Sequence, residues 1–384
     1  MVGYFLRLGT LGFGGPVALV AAMHRDLVEA REWVSAEEYR EGIALAQLAP
    51  GPLAAQLAVY LGWVRHGVLG ATAVALAFVA PSFVMVVVLA ALYVRAGGLP
   101  WMQAAFYGIG AAVIAIISRS AVKLVRSTAG RDWLLWAVVL ANATVTAITA
   151  RELLRVVAAS GLLVVLVRWW QSRRVVVGPA ATLLPVLVPL APSLWLNALA
   201  SLNALSEASQ HLRLFAFFVK AALVVFGSGL AIIPFLHGGV VEQYGWLTER
   251  QFLDAVAVAM ITPGPVVITV GFIGYLVAGL PGASLAALGM FLPTYGVVVL
   301  MAPWFRRVAG NRMLKALVDG VTAAAVGALV GAVIVLGRGA LVDLTTLAIA
   351  LATFGVYWRG WKIPEPFLIL GAGALGLLLA GTRG

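Results

Sequence analysis

Two Pro-Gly-Pro triplets carry the clearest chemical signal in this sequence. Pro50-Gly51-Pro52 and Pro263-Gly264-Pro265 each interrupt a long apolar stretch. Proline lacks a backbone donor and pushes the preceding residue out of the helical region, so one helix ends and another can begin. The new helix presents unpaired N–H groups and the positive end of its dipole, which favour an anion. The pair predicts an anion site between broken half-helices, and the alternative is a kink packed against a neighbour.

Several side chains near the breaks could complete such a site. Arg7 and Lys220 are aligned cations in the first apolar segment of each half. An intramembrane cation needs a partner such as a dianion, unless it extends to the interface. Neutral donors and small residues add polar contacts and room for close approach, to a ligand or to a neighbouring helix. The candidate substrate-binding residues are Arg7, Gly14, Gly15, Pro50, Gly51, Pro52, Gln56, Lys220, Gly227, Ser228, Thr262, Pro263, Gly264, Pro265 and Thr269.

Two acids occupy equivalent positions in the short helices before the breaks. Glu41 and Asp254 could each take a proton and couple transport to a proton gradient. Because both lie about two turns from a helix start at the interface, solvation is the alternative. The four histidines are too scattered for a metal motif, so neither a metal nor another cofactor is predicted.

Composition places the chain in a membrane. It has 384 residues, of which 62% are hydrophobic and 11% charged, with a mean hydropathy of +1.03. Soluble domains average about 25% charged residues. Long apolar segments containing Gly and Pro favour a helical bundle over a β-barrel. The net charge of +11 lies in short loops, where it sets topology, so nucleic-acid binding is not predicted. No cleavable signal is evident, so residue 1 onward is expected to be mature.

The chain contains an internal repeat. Residues 5–52 align without a gap to residues 218–265, with 13 identities in 48 positions. With one residue lost, the match continues to Pro81 and Pro293. Capping boxes are predicted at equivalent positions, Ser35-x-x-Glu38 and Thr248-x-x-Gln251. A duplicated membrane fold follows.

Helical spans of similar length are expected in the two halves. Each half opens with a span broken by small residues, and a short helix then runs on each side of its break. The first half is predicted to have segments at about 4–22, 36–49, 52–65, 68–94, 101–118, 133–150 and 153–168. The second is predicted to have an opening span at 215–236, its own pair of short helices, and spans at 281–304, 313–336, 341–357 and 365–381.

Loop charge predicts that the halves are inverted. Four basic residues follow the 101–118 helix, whereas four precede the equivalent 313–336 helix, so these helices run in opposite directions by the positive-inside rule. If each broken pair crosses once, a linking span at 175–200 gives that reversal. The charges are Arg119, Lys123, Arg126 and Arg131 in one loop and Arg306, Arg307, Arg312 and Lys315 in the other.

The predicted fold is an all-α integral membrane protein. It has two inverted-topology repeats of about seven helical segments each, broken half-helices at Pro-Gly-Pro and one linking transmembrane helix. The first repeat covers residues 1–174, the linking helix 175–210 and the second repeat 211–384. The bilayer is its surroundings, and a homodimer is compatible with the sequence.

The repeated motifs resemble those of the chromate ion transporter (CHR) family in its two-domain form. They include residues 13–16, 45–52 and 81–82 in the first half and residues 226–227, 262–265 and 274–275 in the second. The resemblance implies export of chromate across a prokaryotic inner (plasma) membrane, with sulfate as a related oxyanion. Val17-Ala18-Leu19 stand where the family commonly has a histidine, and Ala54 and Ala55 where it tends to have serine, which leaves fewer side-chain donors.

Two other function classes remain as alternatives. A proton- or cation-coupled carrier of another solute would depend on Glu41 and Asp254. A membrane enzyme acting on a lipid phosphate would need a catalytic cluster at one membrane face, and no such motif is recognisable. Access to the oxyanion site is expected to alternate as one half rocks against the other.

Overall fold

Helices form every regular element that the structure describes. The computed structural model describes residues 1–13, 15–96, 100–149, 154–172, 209–224, 229–305, 312–359 and 363–381. The first half contains α1 Val2–Leu11, α2 Gly15–Met23, α3 Ala36–Leu48, α4 Leu53–Ala96, α5 Pro100–Ala129, α6 Trp133–Thr149 and α7 Leu154–Ser172. The second contains α8 Gln210–Val224, α9 Ile233–His237, α10 Glu249–Ile261, α11 Thr269–Met301, α12 Arg312–Ala340, α13 Leu344–Trp358 and α14 Glu365–Gly381.

Four of the described segments are long and apolar enough to cross a bilayer. They are Leu53–Ala96, Trp101–Ala129, Val266–Met301 and Arg312–Ala340. The chain is therefore an all-helical, multi-pass membrane protein. The predicted linking span at 175–200 lies outside the described residues.

The predicted capping boxes are present at the starts of α3 and α10. The Ser35 hydroxyl accepts from the Glu38 N–H, and the Glu38 carboxylate accepts from the Ser35 N–H. Thr248 and Gln251 make the same reciprocal pair. Each box satisfies two of the backbone donors that a helix start leaves unpaired, which fixes where each short helix begins.

The two short helices beside the first Pro-Gly-Pro fold back on each other. Tyr60 Oη donates to Glu41 Oε2 at 3.1 Å, and a Cβ added to Gly42 would overlap the Tyr60 ring. A straight path through the break would separate residues 41 and 60 by about 28 Å at 1.5 Å per residue. The expectation that a broken pair crosses the membrane once is therefore wrong, because the pair forms a hairpin with Pro-Gly-Pro at its tip.

The opening segments also fold back, so the single spans expected at 4–22 and 215–236 are wrong. Tyr4 Oη donates to Asp26 Oδ2 at 3.3 Å, which joins the start of α1 to the turn after α2. In the second half the rings of Phe217 and Tyr244 lie 5.8 Å apart. Each half thus has two fewer predicted crossings, one for the opening span and one for the broken pair. The predicted inversion depends only on whether the number of crossings is even or odd, and removing two leaves this unchanged.

A tight reversal follows each tip hairpin. Within α4 the backbone leaves helical geometry at His66 and at Gly67, which has φ 58°. Ala278 and Gly279 repeat this turn within α11, where Gly279 has φ 61°. A left-handed φ favours glycine. Beyond each turn, a long arm runs to residue 96 or residue 301.

Five of the eight basic residues predicted to lie in loops are helical, and Arg306 and Arg307 lie outside the described residues. Arg119, Lys123 and Arg126 lie in the last turns of α5, which continues to Ala129 instead of ending at 118. Arg312 and Lys315 lie in the first turns of α12. Arginine and lysine are good helix formers, so the helix extends through them, and the charge stays at the helix end.

Candidate functional site

The first tip is built around Gly51. Helix α3 ends at Leu48, and Ala49 is extended with ψ 143°. Gly51 has φ 133°. The buried Gln56 side chain donates to the carbonyl oxygens of Ala49 at 3.1 Å and Pro50 at 2.7 Å. These bonds use both amide hydrogens of Gln56, so its side chain holds the tip and is not a free donor for a ligand.

The second tip repeats this backbone with different side chains. Helix α10 ends at Ile261, and Gly264 has φ 95°. Thr262 Oγ1 donates to the Val258 carbonyl at 2.6 Å, and Thr269 Oγ1 donates to the Val266 carbonyl at 2.7 Å. Both hydroxyl protons, which the sequence offered as ligand donors, are therefore engaged within the hairpin.

Each tip lies against a hydroxyl of the other half's long arm. The Gly264 N–H donates to the Gly12 carbonyl at 2.8 Å, and a Cβ at Gly264 would overlap Ser82 Oγ. A Cβ at Gly51 would lie 2.9 Å from Thr294 Cγ2 and 3.0 Å from its Oγ1. Ser82 and Thr294 are equivalent in the repeat and almost fully buried. The tips are thus seated reciprocally.

Ser82 and Thr294 were missed as site residues. Ser82 Oγ donates to the Gly9 carbonyl at 3.0 Å, and Thr294 Oγ1 to the Met290 carbonyl at 2.8 Å. The signal that could have found them is their position after the aligned prolines of the long arms. A hydroxyl at the same place in both repeats, inside apolar sequence, indicates a polar contact between the halves.

The two predicted cations differ in exposure, and only one of the glycines predicted beside them in the opening segments is described. Arg7 is an exposed residue of α1, and no carboxylate in the described ranges lies within ion-pair distance of it. Lys220 is half-buried in α8, and Gly15 begins α2 with φ 73°. Gly14, Gly227 and Ser228 lie outside the described residues.

The two acids lie away from the tips. Glu41 and Asp254 each precede a tip glycine by ten residues, or about 15 Å along a helix. Asp254 Oδ2 accepts from Tyr93 Oη at 2.7 Å, as Glu41 does from Tyr60. The tyrosine partners were not predicted, because neither is close in sequence to its acid.

Comparison with known proteins adds two kinds of similarity. The family model described as Chromate transporter matches residues 1–169 and again residues 212–377. A probable chromate transport protein from Synechococcus elongatus is 52% identical over 383 residues, which is 98% of this chain and 94% of that protein.

Further relatives extend this similarity. The chromate transport protein of Cupriavidus metallidurans is 53% identical over 381 residues, covering 98% of this chain and 92% of that protein. That of Pseudomonas aeruginosa is 31% identical over 389 residues, covering 99% and 92%. No solved structure gives a significant match.

Proposed function

Because the chain belongs to the chromate transporter family, we propose that it carries chromate across the membrane, with sulfate as a competing anion. It is a transporter rather than an enzyme. Chromate and sulfate are tetrahedral dianions of similar shape, so a site that reads charge and geometry accepts both. The proposed membrane is the prokaryotic inner (plasma) membrane, and the proposed direction is export.

The reciprocal seating of the two tips is the observation that carries this proposal. Gly51 lies against Thr294 and Gly264 against Ser82, so both Pro-Gly-Pro tips converge on the region where the halves meet. The N-terminal turn of α4 begins at Leu53, beside the first tip. Its unpaired N–H groups are suited to an oxyanion. The proposed substrate lies between the tips.

Inverted repeats belong to the same proposal, and the long arm of α4 supports them. Gly62 packs against Gly70, which places the nearby Tyr60 beside the start of that arm. The bond between Tyr60 and Glu41 therefore lies near this end of the arm. Asp254 bonds Tyr93, 23 residues beyond Gly70, or about 35 Å along the arm at 1.5 Å per residue. The two tip hairpins thus enter from opposite ends of one helix.

A near two-fold axis between the halves is further support. Pro16 and Gly229 are aligned in the repeat, and a Cβ at Gly229 would lie 3.6 Å from Pro16 Cγ. Contact between equivalent residues is expected close to such an axis. The proposed units remain residues 1–174, a linking helix at 175–210 and residues 211–384.

Arg7 and Lys220 are the proposed cationic partners of the anion. Arg7 lies on α1, and the carbonyls of Gly9 in α1 and of Gly12 just after it form part of the seat of the second tip. Lys220 occupies the equivalent position in the second half. Replacing either with glutamine removes the charge and retains much of the side-chain length, so affinity for a dianion should fall.

Uptake into everted membrane vesicles tests the proposal. Vesicles carrying the protein should accumulate labelled chromate above empty vesicles, sulfate should compete, and the Arg7→Gln and Lys220→Gln variants should need more chromate for half-maximal uptake. Glu37→Gln, an exposed change at the start of α3, is the matched control. The absence of uptake above empty vesicles, together with no effect of sulfate, would refute chromate transport.

A further inference from the structure

The two equivalent acids have unequal surroundings. Glu41 is half-buried and bonds Tyr60 of its own hairpin. Asp254 is 4% exposed and bonds Tyr93, which belongs to the long arm of the other half. The second hairpin is therefore tied to the first half through a carboxylate.

An exchange of tyrosine and phenylalanine between the repeats explains this difference. The residue equivalent to Tyr60 is Phe272, and the residue equivalent to Tyr93 is Phe305. Near Asp254, the ring of Tyr93 from the first half lies 5.3 Å from that of Phe272 from the second, and of these two only Tyr93 has a hydroxyl. The repeat thus retains both acids but moves the hydroxyl from the acid's own hairpin to the opposite half.

A cavity with a mixed polar and apolar lining reaches Asp254. Its volume is about 200 Å³, enough for several water molecules. Thr248 and Arg250 of its lining are exposed, whereas Asp254 is buried. The lining residues are Tyr93, Met102, Gln103, Phe106, Thr248, Arg250, Gln251 and Asp254. Water can therefore bring a proton to the carboxyl and remove it.

Among the described residues, few charged groups face this carboxyl. Tyr93 is neutral, and Arg250 donates to the Gln103 carbonyl at 3.0 Å on the exposed side of the cavity. Glu249, at the start of α10, has its Oε1 atom 3.8 Å from Nε2 of His237 in α9. Burial of the carboxylate outweighs the neutral donor Tyr93 and the attraction of Arg250, so the ionised form is disfavoured.

We propose that Asp254 is the proton-binding residue of this transporter. Its bond to Tyr93 holds the second hairpin against α4 when the carboxylate is ionised and releases it when the proton is bound. The proton comes from cavity water and returns to it. An ionised acceptor makes a hydrogen bond roughly twice as strong as a neutral one, so binding a proton weakens the tie between the hairpin and α4. Glu41 is less buried and bonds a tyrosine of its own hairpin. The coupling to transport rests on the proposed function, whereas the proton site does not.

Infrared difference spectra of the protein in lipid, recorded between acidic and alkaline pH, test the proton site without any substrate. The wild type should show the C=O band of a protonated carboxyl that disappears as pH rises. Asp254→Asn should lose this band, Asp254→Glu should retain a displaced one, and Glu41→Gln should leave it in place. Tyr93→Phe should change the pH at which it disappears.

Proton flux in vesicles loaded with a pH dye then tests the coupling. Chromate should drive proton movement in the wild type and in Glu41→Gln but not in Asp254→Asn. A band that survives Asp254→Asn and vanishes in Glu41→Gln would overturn the proton site. A band assigned to Asp254 in a protein that moves no chromate would refute the proposed function and the coupling but leave the proton site intact.

Discussion

Replacing Gly264 with alanine tests whether the second tip is seated on Ser82. A residue with a Cβ pays about 1–2 kcal/mol in the left-handed region where Gly264 has φ 95°. The new Cβ also overlaps Ser82 Oγ, which must turn away from the Gly9 carbonyl and lose a bond worth about 1 kcal/mol. The seated state should lose about 2–3 kcal/mol, or 30- to 150-fold in its population relative to unseated states.

Chromate uptake into everted vesicles, normalised to the amount of protein, measures this loss. Gly264→Ala should reduce uptake strongly. Ser82→Ala alone should have a mild effect, because it removes one hydrogen bond and leaves a small side chain. In the double variant the overlapping hydroxyl is absent and its hydrogen bond is lost only once, so uptake should be about the same as in Gly264→Ala. The two changes should therefore be coupled by about 1 kcal/mol, the value of that bond.

The control is Gly296→Ala in the same long arm as Thr294. A Cβ there meets no atom within 4 Å, and its backbone is helical. This variant should transport like the wild type. If the effects of Gly264→Ala and Ser82→Ala simply add, the tip does not depend on this seat and the reasoning fails.

Two further predictions concern other contacts. Gly51→Ala should also reduce uptake, because its Cβ would lie 2.9 Å from Thr294 Cγ2. Adding Thr294→Ser removes that methyl group and should restore part of the uptake. If uptake is not restored, the reciprocal seat is contradicted. At Asp132, burial raises the pKa, but hydrogen bonds from Arg168 and from the Leu134 N–H lower it further, to a value below the ordinary one. The stabilising effect of Asp132 should be complete above pH of about 4 and fade as pH falls through the lowered pKa. In Asp132→Asn, the thermal unfolding temperature should therefore depend less steeply on pH in this acid range. An unchanged dependence would exclude Asp132 as its source.

Local signals predicted where helices begin and end, but not how they fold back. The capping boxes at Ser35 and Thr248 are interactions within four residues, so the sequence is sufficient to identify them. A Pro-Gly-Pro triplet also ends a helix locally. The angle between the two helices depends on distant packing, such as Gly42 on Tyr60. The same limit hid the reversals at Gly67 and Gly279, where a single glycine changes the direction of the chain.

The candidate site shows the same division. Duplication in the sequence predicted helix breaks at Gly51 and Gly264, since both stand in register, but it did not predict that they are hairpin tips. Whether a polar side chain donates to a ligand or to its own backbone depends on its rotamer, which explains why the backbone bonds of Gln56 and Thr262 were not predicted. The seats at Ser82 and Thr294 come from the opposite half, so no local pattern predicts them, and only their equivalent positions in the repeat could have indicated a contact.

The reciprocal seats impose an order on assembly during synthesis. The seat of the second tip, formed by Gly9, Gly12 and Ser82, exists before that hairpin has been made. The first tip must wait for Thr294, about 240 residues later, or ~12–50 s at 5–20 residues per second. During this interval the first hairpin holds irregular backbone in or beside the bilayer without its final partner. A ribosome that stalls in the second half therefore leaves an unseated hairpin, which membrane proteases can recognise.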